Sequence, residues 1–185
     1  MKNLEIEYKV MISKEDFKKL DNLLANKNNR YFEQINYYYD TKENSLKKQS
    51  YSLRIRHIIN INKYLLTLKI PHLNGKMEYE YEIEEKNLTN IPQKIIEKLN
   101  DINVLINEIV LIGSLKTYRK EFVIDNSILC LDYNIYNNEE DYEIECESIS
   151  MEKAKSIVKN ILNENDISYE ESRFSKVARA TKNTK

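Results

Sequence analysis

Three charged side chains near the start of the chain, Glu5, Glu7 and Lys9, alternate with Leu4, Ile6, Tyr8 and Val10. A period of two sends successive side chains to opposite faces of a β-strand, so the charges share one face. Same-face neighbours on a strand lie about 6.6 Å apart, and two carboxylates at that spacing can both reach one hard cation. The pattern returns in Glu78-Tyr79-Glu80-Tyr81-Glu82-Ile83-Glu84, and again where Glu143, Glu145 and Glu147 alternate with Tyr142, Ile144 and Cys146. Cations recur on other stretches: Arg54 and Arg56 share one parity, as do Lys63, Leu65, Thr67 and Lys69, while Arg119 falls in register with Thr117 and Glu121.

A single such stretch is best read as a solvated face. Two features argue instead for an enclosed one. The charges are sorted by strand, with acids at 5, 7, 78, 80, 143 and 145 and bases at Arg54, Arg56, Lys69 and Arg119, whereas a solvated face mixes both signs. The opposite faces carry Tyr, Ile and Leu, which helices can cover. Enclosed charges must be paired or bound to ligands. Arginine and lysine in such a space suit phosphate oxygens. Clustered carboxylates suit Mg²⁺ or Mn²⁺. A site holding both implies a polyphosphate carried in with its metal, and therefore phosphoryl or nucleotidyl transfer driven by positioning and charge stabilisation.

These side chains need a scaffold of strands. After the opening strand, Ser13 is placed to cap a helix with Glu15 and Asp16 in its first turn and Phe17, Leu20, Leu23 and Leu24 as its apolar stripe. Strands follow over 30–40, 51–59, 64–70 and 78–84, with a turn at 72–76. Thr89 and Pro92 open a helical insert with Ile95, Ile96 and Leu99 as its stripe, and 104–112 reads as a short helix running into a strand. Strands resume at 115–124, 128–133 and 142–148. Ser150 caps a last helix whose stripe is Ala154, Ile157, Val158, Ile161 and Leu162. The tail from Ser168 has helical spacing but few apolar anchors. Short turns between consecutive strands favour antiparallel pairing, and about eight strands can close into a barrel.

Composition narrows the chemistry further. The 185 residues suit one domain, and 41% hydrophobic with 32% charged residues describes a soluble globular protein. A net charge of −1 gives no basic field for nucleic acid. With Gly 2 and Pro 2, neither a Walker-type loop nor a dinucleotide fingerprint can be built, so phosphate must be held by side chains. No apolar run spans a bilayer and no signal peptide opens the chain. Cys130 and Cys146 do not form a zinc motif and read as free buried thiols in a reducing cytoplasm, while His57 and His72 are isolated. The abundance of Asn, Ile and Lys is read as a compositional habit.

The ordered set of motifs resembles the CYTH superfamily, the triphosphate tunnel metalloenzymes, and within it the small single-domain proteins of low-GC Gram-positive bacteria. The residues that carry the resemblance are Glu5-x-Glu7-x-Lys9, Arg54-x-Arg56, Thr67-Leu68-Lys69, the acidic strand from Glu78, Arg119, Leu131-Asp132, Glu143-Ile144-Glu145 and Ser175-Lys176. The resemblance covers essentially the whole chain. It implies one CYTH domain over 1–185: an α+β fold with an eight-stranded antiparallel β-barrel, or tunnel, and helices packed outside. It implies a cytoplasmic, divalent-metal-dependent triphosphatase acting on a small substrate, inorganic triphosphate above all. Thiamine triphosphatase, adenylate cyclase and a non-catalytic polyphosphate or nucleotide sensor are the alternatives. Lys9, Arg54, Arg56, Lys69, Arg119 and Lys176 are implied to hold phosphate oxygens, with Glu78 and Glu80 lining the substrate path. Glu5, Glu7, Asp132, Glu143 and Glu145 are implied to hold Mg²⁺ or Mn²⁺, and Glu5, Glu7, Lys9 and Arg56 to take part in catalysis. Glu82, Glu84 and Glu147 are expected near the tunnel mouths, and Arg173 and Arg179 at the surface. No membrane or nucleic-acid partner is expected, and the protein is expected to be a monomer or homodimer. Protons compete with metal on the glutamates, so activity is expected to rise from acid towards alkaline pH.

Overall fold

The alternating stretches fold as antiparallel strands in a computed structural model that describes residues 1–172 and 174–182. In chain order the elements are β1 (Lys2–Glu5), β2 (Glu7–Ile12), α1 (Lys14–Leu23), β3 (Asn29–Thr41), α2 (Ser45–Lys48), β4 (Ser52–Ile58), β5 (Lys63–His72), β6 (Gly75–Ile83), α3 (Gln93–Asn100), β7 (Ile109–Ile124), β8 (Ser127–Tyr136), β9 (Glu139–Glu147), α4 (Met151–Glu164), β10 (Tyr169–Glu171) and α5 (Lys176–Ala180). The fold is α+β, with strand order β1-β6-β5-β4-β3-β7-β8-β9-β2-β10. Arg173 lies outside the described residues. No helix among those described is long and apolar enough to cross a membrane.

Eight strands in a closed ring were the expectation; among the described residues ten form, and their hydrogen bonds do not close the sheet. The opening stretch breaks at Ile6, so that β1 pairs with β6 and β2 with β9. The other edge of β2, over Val10–Ile12, is taken by β10 through the pairs Tyr169↔Ile12 and Glu171↔Val10. No glycine or proline marks that break in the sequence.

The helix signals work locally as expected. Ser13 accepts a hydrogen bond from the Asp16 amide and Ser150 from the Lys153 amide, so each satisfies one of the orphan donors at a helix start. Turns are made almost without glycine. Six asparagines (Asn44, Asn62, Asn103, Asn126, Asn137 and Asn138) hold positive φ, as do Asp125, Asp166 and Ser50. The β7–β8 hairpin turns on Asp125-Asn126 and the β8–β9 hairpin on Asn137-Asn138, both central residues having φ > 0 in each case, as a two-residue type I′ turn requires. Part of the asparagine content is therefore structural, because Asn is among the few non-glycine residues that tolerate this conformation.

The chain divides into two compact units. The first comprises residues 1–4, 34–115 and 176 onward. Its apolar face gathers Tyr39, Leu53, Ile55, Leu66, Leu68 and Tyr79 under Leu46 of α2 and Ile95 and Leu99 of α3. The second comprises residues 5–33 and 116–175. Here Tyr8, Val10, Leu129, Leu131, Ile144 and Cys146 pack under Leu20 of α1 and Ala154, Val158 and Leu162 of α4. In each unit the helices thus cover the apolar face. The charged face is buried as well: Arg54 and Thr67 in the first, and Asp132, Asn134, Glu143 and Glu145 in the second. Arg179, expected at the surface, is only 7% exposed. It lies on α5 in the first unit, where the Ala180 carbonyl oxygen sits 2.7 Å from the place a Cβ on Gly113 would occupy.

Candidate functional site

In the first unit, antiparallel register aligns the charged side chains in rows. Ser52, Lys69 and Glu78 form one row, and Tyr38, Arg54, Thr67 and Glu80 the next. Directly opposed residues share a face, so these side chains can meet. Lys69 Nζ lies 2.6 Å from Glu78 Oε1, and Arg54 Nη2 lies 4.0 Å from the same oxygen. Thr67 Oγ1 donates to Glu80 Oε2 at 3.1 Å, and Arg56 Nε donates to Asn36 Oδ1 at 3.2 Å. Burial pushes the Glu78 carboxyl up, but the adjacent positive charges of Lys69, Arg54 and Arg56 outweigh it, so its pKa falls below the ordinary value. Arg54 Nε is buried and, among the described residues, meets no hydrogen-bond acceptor. An orphaned donor on a buried guanidinium is costly unless an acceptor arrives from outside the protein.

The second unit is built the same way with the opposite balance. One row holds Arg119, Asp132 and Glu143, and the adjacent row holds Lys9, Glu145 and Cys130. Arg119 grips Asp132 with a fork, Nε to Oδ1 at 2.8 Å and Nη2 to Oδ2 at 2.6 Å, and Nη2 also reaches Glu145 Oε2 at 2.5 Å. Burial opposes the arginine's charge, but Asp132 and Glu145 hold its pKa well above the ordinary value. Lys9 bonds Glu7 at 2.6 Å and lies 3.6 Å from Glu145. One carboxylate oxygen from each of Asp132, Glu143 and Glu145 lies within 4.8 Å of the others. Oxygens sharing one Mg²⁺ or Mn²⁺ lie about 3 Å apart when cis and about 4.2 Å apart when trans, so these three would draw closer together to share one ion. A set of hard oxygen donors fits such an ion and disfavours a soft one.

Of the residues singled out from the sequence, the structure thus brings Arg54, Lys69 and Glu78 together in one unit, with Glu80 and Arg56 on neighbouring rows. It brings Lys9, Glu7, Arg119, Asp132, Glu143 and Glu145 together in the other. Glu5 is buried at the end of β1, and Lys176 is half-buried at the start of α5. Neither belongs to the three-carboxylate group, and nor does Glu7. Glu82 pairs with Lys63 at 2.7 Å near solvent.

Two site neighbours were given no role by the sequence reading, which set Thr117 in register with Arg119 and did not name Asn134. Asn134 and Thr117 are fully buried on the charged face of the second unit. Thr117 Oγ1 donates to Asn134 Oδ1 at 2.7 Å, and Asn134 Nδ2 donates to Asp141 Oδ1 at 3.0 Å and Glu143 Oε1 at 3.3 Å. Only their parity with Arg119 and Asp132 could have flagged them, since neutral side chains leave no mark in a charge pattern.

A CYTH domain model matches residues 3–181. A Bacillus subtilis (strain 168) protein, YjbK, named as a candidate triphosphatase, is 31% identical over 174 residues, covering 92% of this chain and 90% of its own. A Bacillus halodurans protein described as a candidate adenylate cyclase is 34% identical, with a TM-score of 0.83, over 96% of this chain and 97% of its own. The Hippeastrum protein HpAC1, an adenylyl cyclase candidate described as having a dominant triphosphatase activity, is 27% identical, with a TM-score of 0.79, over 95% of this chain and 94% of its own.

Proposed function

The chain belongs to the CYTH family, and from that premise we propose that it is a single-domain, divalent-metal-dependent triphosphatase whose substrate is inorganic triphosphate. The observation that carries the reading is the buried Arg54 Nε without an acceptor, on a face that also presents Arg56 and Lys69. A phosphoryl oxygen is the acceptor such a face suits, because guanidinium and ammonium groups bind it through charge-assisted hydrogen bonds. Glu78 keeps Lys69 and Arg54 from repelling one another in the absence of substrate, and so holds them in place for it. Asp132, Glu143 and Glu145, with Glu5 and Glu7, are assigned to a divalent ion. When bound, that ion would neutralise phosphoryl charge and polarise the anhydride to be cleaved. Lys9, Arg119 and Lys176 are assigned to phosphoryl oxygens, Glu80 to the substrate path, and Lys9 and Arg56, with Glu5 and Glu7, to stabilising the transition state. In the reaction a water oxygen bonds to the terminal phosphorus as the bridging P–O bond breaks, releasing orthophosphate and pyrophosphate. The relatives support this reading, since two of the three reported above are described by triphosphatase activity.

The test measures orthophosphate release from triphosphate with Mn²⁺ or Mg²⁺. Turnover is expected to need the metal, to stop in excess chelator, and to be lost in folded Arg56→Ala and Glu7→Ala proteins. Hydrolysis that persists in chelator, tight triphosphate binding without turnover, or cyclic AMP as the main product from ATP would each overturn it.

A further inference from the structure

Asn134 spends every hydrogen-bonding group of its side chain inside the second unit. Its oxygen accepts from Thr117, and its NH₂ donates to Asp141 and to Glu143. An amide offers one acceptor oxygen and two N–H donors, so the set is complete. The reversed amide would turn Oδ1 onto two carboxylates; the network therefore fixes which way it points. Thr117 is what makes this orientation complete, because its hydroxyl proton is the donor that the amide oxygen receives. The amide also brings no charge. Arg119 and Lys9 hold Asp132, Glu145 and Glu7 with positive charge that a metal ion must displace or share. Asn134 steadies Glu143 without competing with a cation.

We propose that Asn134, oriented by Thr117, is a positioning residue that holds the Glu143 carboxylate aimed as a ligand for the divalent ion. The proposal rests on the reading of Asp132, Glu143 and Glu145 as that ion's site. Carboxylates that bind metals are themselves hydrogen-bonded, and loss of an outer partner costs about 10–100-fold in metal affinity.

Mn²⁺ binding to the full chain, without substrate and followed by the electron paramagnetic resonance of the free ion, tests this directly. Asn134→Ala is expected to weaken binding about 10–100-fold, and Thr117→Val by about 3–10-fold because it acts through Asn134. Thr117→Ser keeps the hydroxyl and is expected to bind Mn²⁺ as the parent does, a rescue that loss of packing alone would not give. Triphosphate binding measured without metal is expected to be unmoved in all three. Glu143→Gln separates the two readings. If the parent binds no Mn²⁺, or Glu143→Gln binds it equally well, the metal site itself is wrong and this inference falls with it. If Glu143→Gln weakens binding while folded Asn134→Ala and Thr117→Val stay within about twofold of the parent, the positioning role alone is overturned. Should Asn134→Ala fail to fold, the threonine pair decides: weakened binding in Val with recovery in Ser supports the role, and no change in Val overturns it.

Discussion

In the first unit Arg54, Arg56 and Lys69 share a face with Glu78 and Glu80; in the second, Lys9 and Arg119 share one with Glu7, Asp132, Glu143 and Glu145. Among these named side chains, three cations against two acids give the first unit's group a positive excess, and two against four give the second unit's group a negative one. Both faces relieve part of the cost of burial internally, through Lys69–Glu78 in one and the Arg119 fork in the other. What remains differs in sign, and so does the ligand each face can accept. The sorting of charge seen along the sequence persists in the sheet: β4 and β5 carry bases beside the acidic β6, and β8 and β9 carry acids beside Arg119 on β7.

That division predicts separable failures. The largest effect is expected in the acidic unit: Glu143→Gln should lower kcat/KM for metal-dependent triphosphate hydrolysis by about 100-fold or more and raise the Mn²⁺ requirement, read from activity against metal concentration. A normal metal requirement with a raised KM for triphosphate would break the comparison. In the basic unit, Arg54→Ala should raise the KM for triphosphate by about 10–100-fold, the effect of removing one buried charge from an ionic contact, while the metal requirement stays put. Lys69→Met leaves Glu78 buried beside a missing partner and should cost about 3 kcal/mol, measured by urea denaturation at neutral pH. Glu78 itself gives the pH signature. Its folded pKa lies below the ordinary 4.5, so its stabilisation is present above that value and is lost as pH falls through the folded one. Melting temperature is therefore expected to drop below about pH 4.5 in the parent and more shallowly in Glu78→Gln. The smallest effect is expected at Gly113→Ala, where the new Cβ meets the Ala180 carbonyl; about 1–3 kcal/mol should be lost as α5 shifts.

The strands were legible wherever burial alternates strictly with charge. Glu78 to Glu84 and Tyr142 to Glu147 could be assigned to faces from sequence because each acid is followed by an apolar residue that must be covered. Ser13 and Ser150 announced their helices through capping chemistry that is local. What could not be read depends on distant partners. The break at Ile6 follows from which strands flank β1 and β2, and no local residue encodes it. Tyr169–Glu171 is too short to show a period, and forms a strand because β2 has an edge to offer. Arg179 looked like surface because helical spacing with few apolar neighbours is the usual mark of an exposed turn. The candidate ligands were legible through their charge; of the pair that supports one of them, Thr117 was legible only as a strand position in register with Arg119, and Asn134 not at all.

The two thiols add a practical consequence. Cys130 and Cys146 lie mid-strand in β8 and β9, both buried and free, and burial raises both pKa values, Cys146 to about 11 and Cys130 well above its ordinary range. Neither sulfur is both ionised and reachable in the folded chain at neutral pH, so an alkylating reagent must wait for these strands to part. The rate at which iodoacetamide is taken up would then time the opening of the acidic unit, giving a clock for its local breathing that needs no added probe.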